Sequence, residues 1–201
     1  MTTDEEAPAT RVDGRTQRAE RTRRAIIDAL LALHREGSLN NSAAQIAGRA
    51  GVSLRALWVN FKDMETLYAA AGTRLAEEMR AEHRPVPPDL PLPERVSAFC
   101  RQRARMLEIM APSARAAYLK LPVSPQLRRN RAIQIGRVRD EISTLFAGEL
   151  DAAGPERPRL LNALLIAATF NAWQMGRDDL GLEAAEVCEI MIKTMTGLLT
   201  H

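Results

Sequence analysis

Cysteine, histidine and aromatic residues are scarce in this chain of 201 residues. The two cysteines, Cys100 and Cys188, lie far apart and form no CxxC pair, which excludes a disulfide scaffold and favours buried thiols in a reducing compartment. The three histidines include no pair at the helical i,i+4 spacing, so we expect no metal site. Aromatic residues make up 4 % of the sequence and hydrophobic residues 46 %. We therefore expect a sizeable, mainly aliphatic core.

Signals for catalysis and for membrane insertion are missing as well. No glycine-rich phosphate loop, nucleophile elbow or paired-carboxylate motif occurs, so we expect neither an enzyme nor a bound cofactor. The longest uncharged segment, residues 160–176, is too short and too polar to cross a bilayer. The first residues lack a basic segment followed by an apolar run, which argues against a signal peptide. These absences predict a cytoplasmic protein without membrane association.

Helical periodicity without any hairpin or βαβ signal predicts an all-α fold. Residues 1–15 open with an acidic, proline-containing stretch and are expected to form a disordered arm. We assign residues 16–68 to a three-helix N-terminal domain and residues 69–201 to a helical C-terminal domain. A helix over about residues 63–82 connects them. Five prolines within residues 85–93 predict a stiff, extended connector after that helix.

Residues 42–61 have the pattern of two short helices joined by a glycine turn. Ser42, with a glutamine three residues later, forms a capping-box pair at the start of the first helix. Gly51 supplies the left-handed turn and Ser53 caps the second helix. With Leu57 facing inward, the spacing is typical of a helix-turn-helix whose second helix enters the major groove of DNA. The alternative is an αα-hairpin of a larger helical bundle.

The same region resembles the tetracycline-repressor (TetR) family of bacterial transcriptional regulators. The family pattern has an Ile-Ala pair in the second helix, Ala-Gly-Val-Ser at the turn, an aromatic residue and a Phe around the third helix, and then an acidic-Leu run. The matching residues, within residues 20–70, are Ile46-Ala47, Ala50-Gly51-Val52-Ser53, Leu57-Trp58, Phe61 and Glu65-Thr66-Leu67. The resemblance implies an N-terminal DNA-binding domain and a C-terminal bundle with an effector pocket.

Local charge and the resemblance together select candidate DNA-binding residues. Residues 11–62 contain ten basic and four acidic residues. Six of the basic residues form an arm before or at the start of the first helix, and for about half of them a solvated helix face is the favoured interpretation: Arg11, Arg15, Arg18, Arg21, Arg23 and Arg24. The sequence departs from the family at Trp58 (usually Tyr), Asn60 (usually His) and Met64 (usually Lys). Arg55 stands where the family has Gly, and arginine suits guanine. The candidates are Arg23, Arg24, Ser42, Ser53, Leu54, Arg55, Trp58, Asn60 and Lys62.

The C-terminal region shows helical stripes over residues 94–110, 114–121 and 126–150, with a break expected at Pro112. The resemblance implies a ligand pocket within these helices, and flexible methionines suit an adaptable apolar cavity. Arg103, on or near the apolar stripe of its helix, can meet an anionic ligand, and it can equally pair with Glu149 or extend to solvent. Ordinary core packing is the alternative for each candidate. The candidates are Phe99, Cys100, Arg103, Met106, Met110, Tyr118, Phe146, Phe170, Asn171 and Trp173.

The last two predicted helices, residues 160–176 and 183–199, predict a homodimer interface. The first is apolar on nearly all sides, which in a chain of this size places one side on its own domain and another on a partner subunit. Two such helices and their symmetry mates would form a four-helix bundle. The TetR resemblance implies the same place for the interface. The alternative is burial within the monomer's own core.

These observations predict a sequence-specific transcriptional regulator that binds double-stranded DNA. We expect a repressor that reads a pseudo-palindromic operator as a dimer and is released by a small molecule bound in the C-terminal domain. The alternative belongs to another class, a helical binding or scaffold protein with a degenerate helix-turn-helix that no longer engages DNA. Trp58 and Met64, which depart from the family pattern, keep that alternative open.

Overall fold

The computed structural model describes residues 14–200, and within that range the chain is helical without strands. The helices are α1 (Gly14–Arg35), α2 (Ala43–Arg49), α3 (Leu54–Asn60), α4 (Met64–Glu82), α5 (Leu92–Tyr118), α6 (Pro125–Leu145), α7 (Ala147–Ala152), α8 (Arg157–Ala167), α9 (Phe170–Gln174) and α10 (Ala184–Leu199). The predicted all-α fold is confirmed. Residues 1–13, most of the predicted arm, lie outside the described residues.

The first three helices and the start of α4 pack around a core of their own. Apolar residues at helical spacing in α1, such as Ile26 and Leu30, face the single buried leucine of α3. Phe61 follows α3 directly and is fully buried in the same place. The buried side chains of this N-terminal core are Ile26, Ala29, Leu30, Leu31, Ile46, Ala47, Leu57, Phe61, Leu67 and Ala71.

Helix α4 belongs to both halves of the molecule. Its first half closes the N-terminal core, and the helix also packs against α5 and α6. Gly72 allows the close approach to α6, because a side chain there would collide with Asn130. The Asn130 side-chain amide donates to the Tyr68 carbonyl oxygen at 3.0 Å. The predicted domain division at residue 68 therefore falls inside a continuous helix, and the division itself stays a prediction.

Helices α5, α6, α8 and α10 form a C-terminal bundle with a second core. The Phe99 and Phe146 rings meet edge to face, with centroids 5.7 Å apart. The Trp173 indole N–H donates to Glu108 at 2.7 Å, so the buried ring keeps its polar group satisfied. The largest fully buried side chains of this bundle core are Phe99, Leu107, Ile142, Phe146, Leu150 and Trp173.

The helix break predicted at Pro112 is wrong, because α5 runs without interruption from Leu92 to Tyr118. Proline removes one helical hydrogen bond. Leu107, Ala111 and Ala116 nevertheless stay buried on both sides of it, so packing along the whole helix outweighs that loss. The prolines interrupt the helix as predicted: residues 83–91 between α4 and α5 are non-helical, and they contain a turn at residues 88–90.

Two segments predicted as single helices are each divided in two. Residues 126–150 form α6 and α7, with Phe146 outside helical geometry between them (φ −112°, ψ 31°). Residues 160–176 form α8 and α9, because Thr169 has an extended backbone and caps α9. Periodicity identifies the buried residues on either side of such breaks but not the breaks themselves. Among residues 14–200, every helix is too short or too polar to span a membrane.

Hydrogen bonds link the N-terminal helices to the bundle. His34 Nδ1 of α1 lies 3.2 Å from Ser113 Oγ of α5. The Lys120 ammonium donates to Asn40 Oδ1 at 2.7 Å, across the loop that leads into α2. The Gln126 backbone N–H donates to the Glu65 carboxylate at 2.8 Å. The two halves are therefore joined by polar contacts around α1 and α4.

Candidate functional site

Caps at both helix starts hold the turn between α2 and α3. The Ser42 hydroxyl accepts from the Gln45 backbone N–H at 3.2 Å, and the Gln45 side chain accepts from the Ser42 N–H at 2.8 Å. The Ser53 hydroxyl accepts from the Ala56 N–H at 3.1 Å. Gly51 has φ +67°, in the left-handed region that favours glycine. The predicted capping box and glycine turn are both present, and the two serines stabilise helices whatever else they contact.

The outer face of α3 carries a mixed apolar and basic surface. Leu57 is fully buried, so the residues on the opposite side of the helix face solvent. Trp58 is 41 % exposed and Val59 is 77 % exposed, although both side chains are large and apolar. Val59 is not among the predicted DNA-binding residues. Its position opposite Leu57 in the helical repeat is the sequence signal that would have placed it on the exposed face. We call this face the α3 surface; it consists of Leu54, Arg55, Trp58 and Val59.

Two of the predicted DNA-binding residues are engaged within the protein. The Arg23 guanidinium donates to the Asn60 carbonyl oxygen at 2.7 Å and lies over the Phe61 ring, 4.2 Å from its centroid. The Asn60 side-chain amide donates to the Ala56 carbonyl at 2.8 Å. These contacts tie α1 to the end of α3, so Arg23 and Asn60 position the α3 surface.

Two of the predicted DNA-binding residues are exposed basic groups outside α3. Arg24 lies on α1 and Lys62 directly precedes α4, and both are exposed. Asp63 caps α4, and hydrogen bonds from the Thr66 backbone N–H and then from its hydroxyl hold the pKa of the Asp63 carboxyl below its usual value. The half-buried Met64 packs against the N-terminal core, so the position where the family usually has Lys serves packing here.

A second feature is a cavity of about 300 Å³ at the junction of α1, α4, α5 and α6, near the end of α8 and the start of α9. Of the ten predicted ligand-binding residues, the cavity brings together Arg103, Met110, Tyr118, Phe170 and Asn171. The other five lie outside it, buried in the C-terminal bundle: Phe99, Cys100, Met106, Phe146 and Trp173. Burial raises the pKa of the Cys100 thiol to about 12, which suits an inert side chain.

The wall of the cavity also contains residues that are not among the ten predicted ligand-binding residues. Leu30 and His34 come from α1, Tyr68 from α4, and Leu127 and Asn130 from α6. The signal available in the sequence was the apolar stripe of α4 and α6, but nothing in the stripe indicates that it meets α1. These residues place the N-terminal core on one wall of the cavity.

The rim of the cavity is a small polar cluster on α5, α6 and α9. The Tyr118 hydroxyl donates to Asn171 Oδ1, and the Arg131 guanidinium donates to the same oxygen at 3.1 Å. Arg131 also lies over the Tyr118 ring, 5.0 Å from its centroid. This cluster stands at the exposed edge of the cavity.

Two ionisable groups in the cavity wall are shielded from water: Arg103 is buried and His34 is half-buried. Burial lowers the pKa of His34 from 6.5 to about 4, with a smaller contribution from Arg35, so its imidazole is neutral at neutral pH. Arg103 is 8 % exposed, and its Nε donates to the Ala168 carbonyl at the end of α8 at 2.8 Å. Burial lowers the pKa of Arg103 to about 10, so its guanidinium stays charged at neutral pH.

The outer faces of α8 and α10 are mixed, and each carries one large exposed apolar side chain among polar and charged ones. Ile166 on α8 is 66 % exposed and Ile190 on α10 is 49 % exposed. The two helices pack against each other within the chain. Small residues, including Thr194 and Gly197, lie on the outer side of α10 and leave room for the close approach of another helix.

Comparison with solved structures shows the fold that this geometry belongs to. A transcriptional regulator from Rhodococcus sp. Rha1 matches with a TM-score of 0.65 at 21 % identity, over 90 % of this chain and 96 % of that one. A protein from Mesorhizobium loti assigned to the TetR family of transcriptional regulators matches with a TM-score of 0.61 at 16 % identity, over 91 % and 97 %. No family model and no curated protein matches the sequence. The chain therefore has the all-α fold of TetR-type regulators, as the sequence resemblance predicted.

Proposed function

We propose that this protein is a TetR-type transcriptional regulator that binds double-stranded DNA through the α3 surface. The observation that carries the proposal is the outer face of α3, which capped helices and the N-terminal core hold in place. Arg55 on that face makes no hydrogen bond or ion pair within residues 14–200, so its guanidinium is available to guanine O6 and N7 in the major groove. Arg24 and Lys62 are placed to contact phosphates on either side.

The proposed regulator is a homodimer that uses the outer faces of α8 and α10. One recognition helix covers only a few base pairs, and two at a fixed separation read a pseudo-palindrome. Ile166 and Ile190 are the large exposed apolar side chains that a symmetry mate would bury, and the charged residues around them would lie at the rim of the interface. The resulting arrangement is a four-helix bundle made of two helices from each subunit.

The proposed mode of regulation is release of the protein from DNA when a small molecule binds in the cavity. The cavity wall includes α1 and α4, which also form the N-terminal core. A ligand that fills the cavity would change the packing of α4 and with it the separation of the two α3 surfaces. The protein would then act in the cytoplasm as an effector-responsive repressor rather than as an enzyme.

The proposal is tested by selection of genomic fragments with the purified protein at near-physiological salt, followed by sequencing. We expect enrichment of an inverted repeat whose half-sites lie about one helical turn apart. Arg101→Ala serves as the charge-matched control for substitutions on α3, because Arg101 is exposed on α5, away from the α3 surface and the cavity. No enrichment from protein shown to be folded and dimeric, with and without candidate effectors, would refute the proposal.

A second candidate function rests on the apolar part of the α3 surface. Leu54, Trp58 and Val59 together form an exposed apolar patch, and such patches also serve as protein docking sites. A scaffold protein that uses this patch would show no salt-dependent affinity for duplex DNA, whereas a DNA-binding protein loses affinity steeply as salt rises. Titration of one duplex at two salt concentrations separates the two functions.

A further inference from the structure

The cavity wall carries a strong excess of positive charge. Its acidic residue is Glu77, while the basic residues that line it are Arg80, Arg103, Lys120, Arg131 and Arg137. His34 adds no charge at neutral pH, because burial keeps its imidazole neutral. Much of the remaining wall is apolar, with Leu127, Val138 and Phe170 among the contributors. A cavity of this composition favours an anionic ligand over a cationic one.

Most of these basic groups are hydrogen-bonded or solvated already. The Lys120 ammonium donates to Asn40, and Arg131 donates to Asn171 at the rim. Arg80 and Arg137 are exposed, so water solvates their charges. Arg103 differs because it is more than nine-tenths buried and lines the inner part of the cavity.

Only one edge of the Arg103 guanidinium is satisfied by the protein. Its Nε donates to Ala168, and within residues 14–200 its two terminal nitrogens have no hydrogen-bond acceptor and no ion-pair partner. Glu141 attracts the charge from beyond salt-bridge distance, and burial itself disfavours the carboxylate form of Glu141. These terminal nitrogens are not fully enclosed, so the free edge of the guanidinium meets the space of the cavity. A ligand that supplied two acceptor oxygens would give this edge two charge-assisted hydrogen bonds.

We propose that the cavity binds a small carboxylate with an apolar body, whose two oxygens accept from the terminal nitrogens of Arg103. This inference deepens the proposed function, since it assigns a chemical class to the effector. The planar guanidinium matches a carboxylate in a bidentate geometry, which an ammonium group would not provide. The Nε–Ala168 bond fixes the plane of the guanidinium, so the free edge is oriented before the ligand arrives.

A monoanion fits the site better than a dianion. One buried guanidinium balances one negative charge, and the other basic groups of the wall already have partners or water. The apolar body would lie against Leu127, Val138 and Phe170. The cavity volume of about 300 Å³ is at the lower end of the range for small-molecule sites, which restricts the ligand to a small molecule.

The experiment measures the affinity of matched ligands by isothermal titration calorimetry on the full chain without DNA. The probes are octanoate, benzoate and phenylacetate, with octanol and benzyl alcohol as neutral analogues and octyl phosphate as the dianionic analogue. We expect at least one carboxylate to bind about tenfold or more tightly than its neutral analogue, because a charge-assisted bidentate pair replaces an unpaired group. Equal affinity for acid and alcohol, or no binding of any carboxylate, would overturn the proposal, and tighter binding of octyl phosphate would overturn the preference for a monoanion.

Two variants attribute the preference to Arg103. Arg103→Met keeps the apolar volume and removes the charge, so we expect it to bind octanol as the wild type does and to lose the preference for octanoate. Arg101→Met, on the same helix but exposed and outside the cavity, should keep the preference. A preference for the acid that survives in Arg103→Met would refute the assignment.

Failure of this inference and failure of the proposed function remain distinguishable, because the calorimetry uses no DNA. A chain that selects an inverted repeat without any carboxylate preference keeps the regulator proposal and loses the ligand class. A chain with the preference but without DNA affinity keeps the ligand class and loses the regulator. Circular dichroism shows whether Arg103→Met folds. If it does not, Arg103→Lys takes its place. The lysine ammonium cannot bind both carboxylate oxygens in the bidentate geometry of a guanidinium, so the preference for octanoate should still fall.

Discussion

The helix-turn-helix and the cavity are assembled in opposite ways. The α3 surface and its caps come from residues 42–63, where each turn and cap is set by near neighbours in sequence, while Leu57 anchors α3 against α1. The cavity is lined by residues from Leu30 in α1 to Asn171 in α9. A local surface keeps its geometry when distant packing changes, whereas a cavity between several helices changes when any of them moves. The first arrangement suits reading a fixed ligand such as DNA, and the second suits sensing.

Helix α4 is where the two regions meet. Leu67 and Ala71 are buried in the N-terminal core, while Gly72 and Tyr68 lie against Asn130 of α6. A shift of α4 relative to α6 would therefore disturb both the cavity and the support of the α3 surface. Variants in each region can show how independently the two regions unfold and how strongly a change in one affects the other.

The largest expected effect is a loss of stability that is confined to the N-terminal core. Leu57 is fully buried, so Leu57→Ala should lower the free energy of unfolding of the N-terminal core by about 2–5 kcal/mol. Hydrogen exchange read by mass spectrometry should show lost protection in α1 to α3 and retained protection in α5 and α10. Leu54→Ala, on the exposed side of the same helix, is the matched control and should change stability by no more than about 0.5 kcal/mol. Equal loss of protection along the whole chain would show that the two regions unfold as one.

The next effect concerns DNA recognition by the α3 surface. Arg55→Ala should cost about 1–3 kcal/mol of binding free energy and relax the preference at one base position in each half-site. Lys62→Ala should instead weaken all sequences similarly and reduce the salt dependence, because a lysine contact to phosphate carries no sequence information. Fluorescence anisotropy with a set of singly substituted operators distinguishes these outcomes. If neither variant alters binding, the assignment of α3 as the recognition helix is wrong.

A smaller effect comes from two glycines that differ only in backbone conformation. Gly51 has φ +67° and Gly48 lies within α2, and a Cβ on either would meet no neighbouring atom. Gly51→Ala should therefore destabilise the protein by about 1–2 kcal/mol, because alanine is strained in the left-handed region. Gly48→Ala should stabilise it by about 0.5–1 kcal/mol through helix propensity. Urea denaturation of both variants measures the contrast, and changes of the same sign would show that the turn geometry is not as described.

The sequence predicted what depends on near neighbours and missed what depends on distant packing. Ser42, Gly51 and Ser53 act within a few residues, so their pattern predicted the helix-turn-helix directly. The continuity of α5 through Pro112 and the break at Phe146 depend on what the bundle core packs against them, which no local pattern contains. The cavity is a further case, since its wall on α1 exists only because α1 and α5 are neighbours in space.

The remaining prediction tests the link between the two regions, at His34. The structure lowers the pKa of this imidazole from 6.5 to about 4, chiefly by burial between α1 and α5. Between these values the unfolded chain binds a proton that the folded chain does not, so stability falls as the pH falls from about 6.5 towards 4. Below a pH of about 4 the folded protein carries the full cost of the shielded imidazolium, and above about 6.5 it carries none of it. Thermal unfolding across this pH range should show the loss.

Two variants separate burial from hydrogen bonding as the cause. His34→Gln removes the titrating group, so its stability should depend less on pH than that of the wild type in this window. Ser113→Ala removes the hydroxyl that lies 3.2 Å from His34 Nδ1 but keeps most of the burial, so it should retain the pH dependence. Parallel pH profiles for wild type and His34→Gln would contradict the burial of His34. Because α1 meets α5 at His34, that result would also argue against this contact as a route by which the cavity influences the α3 surface.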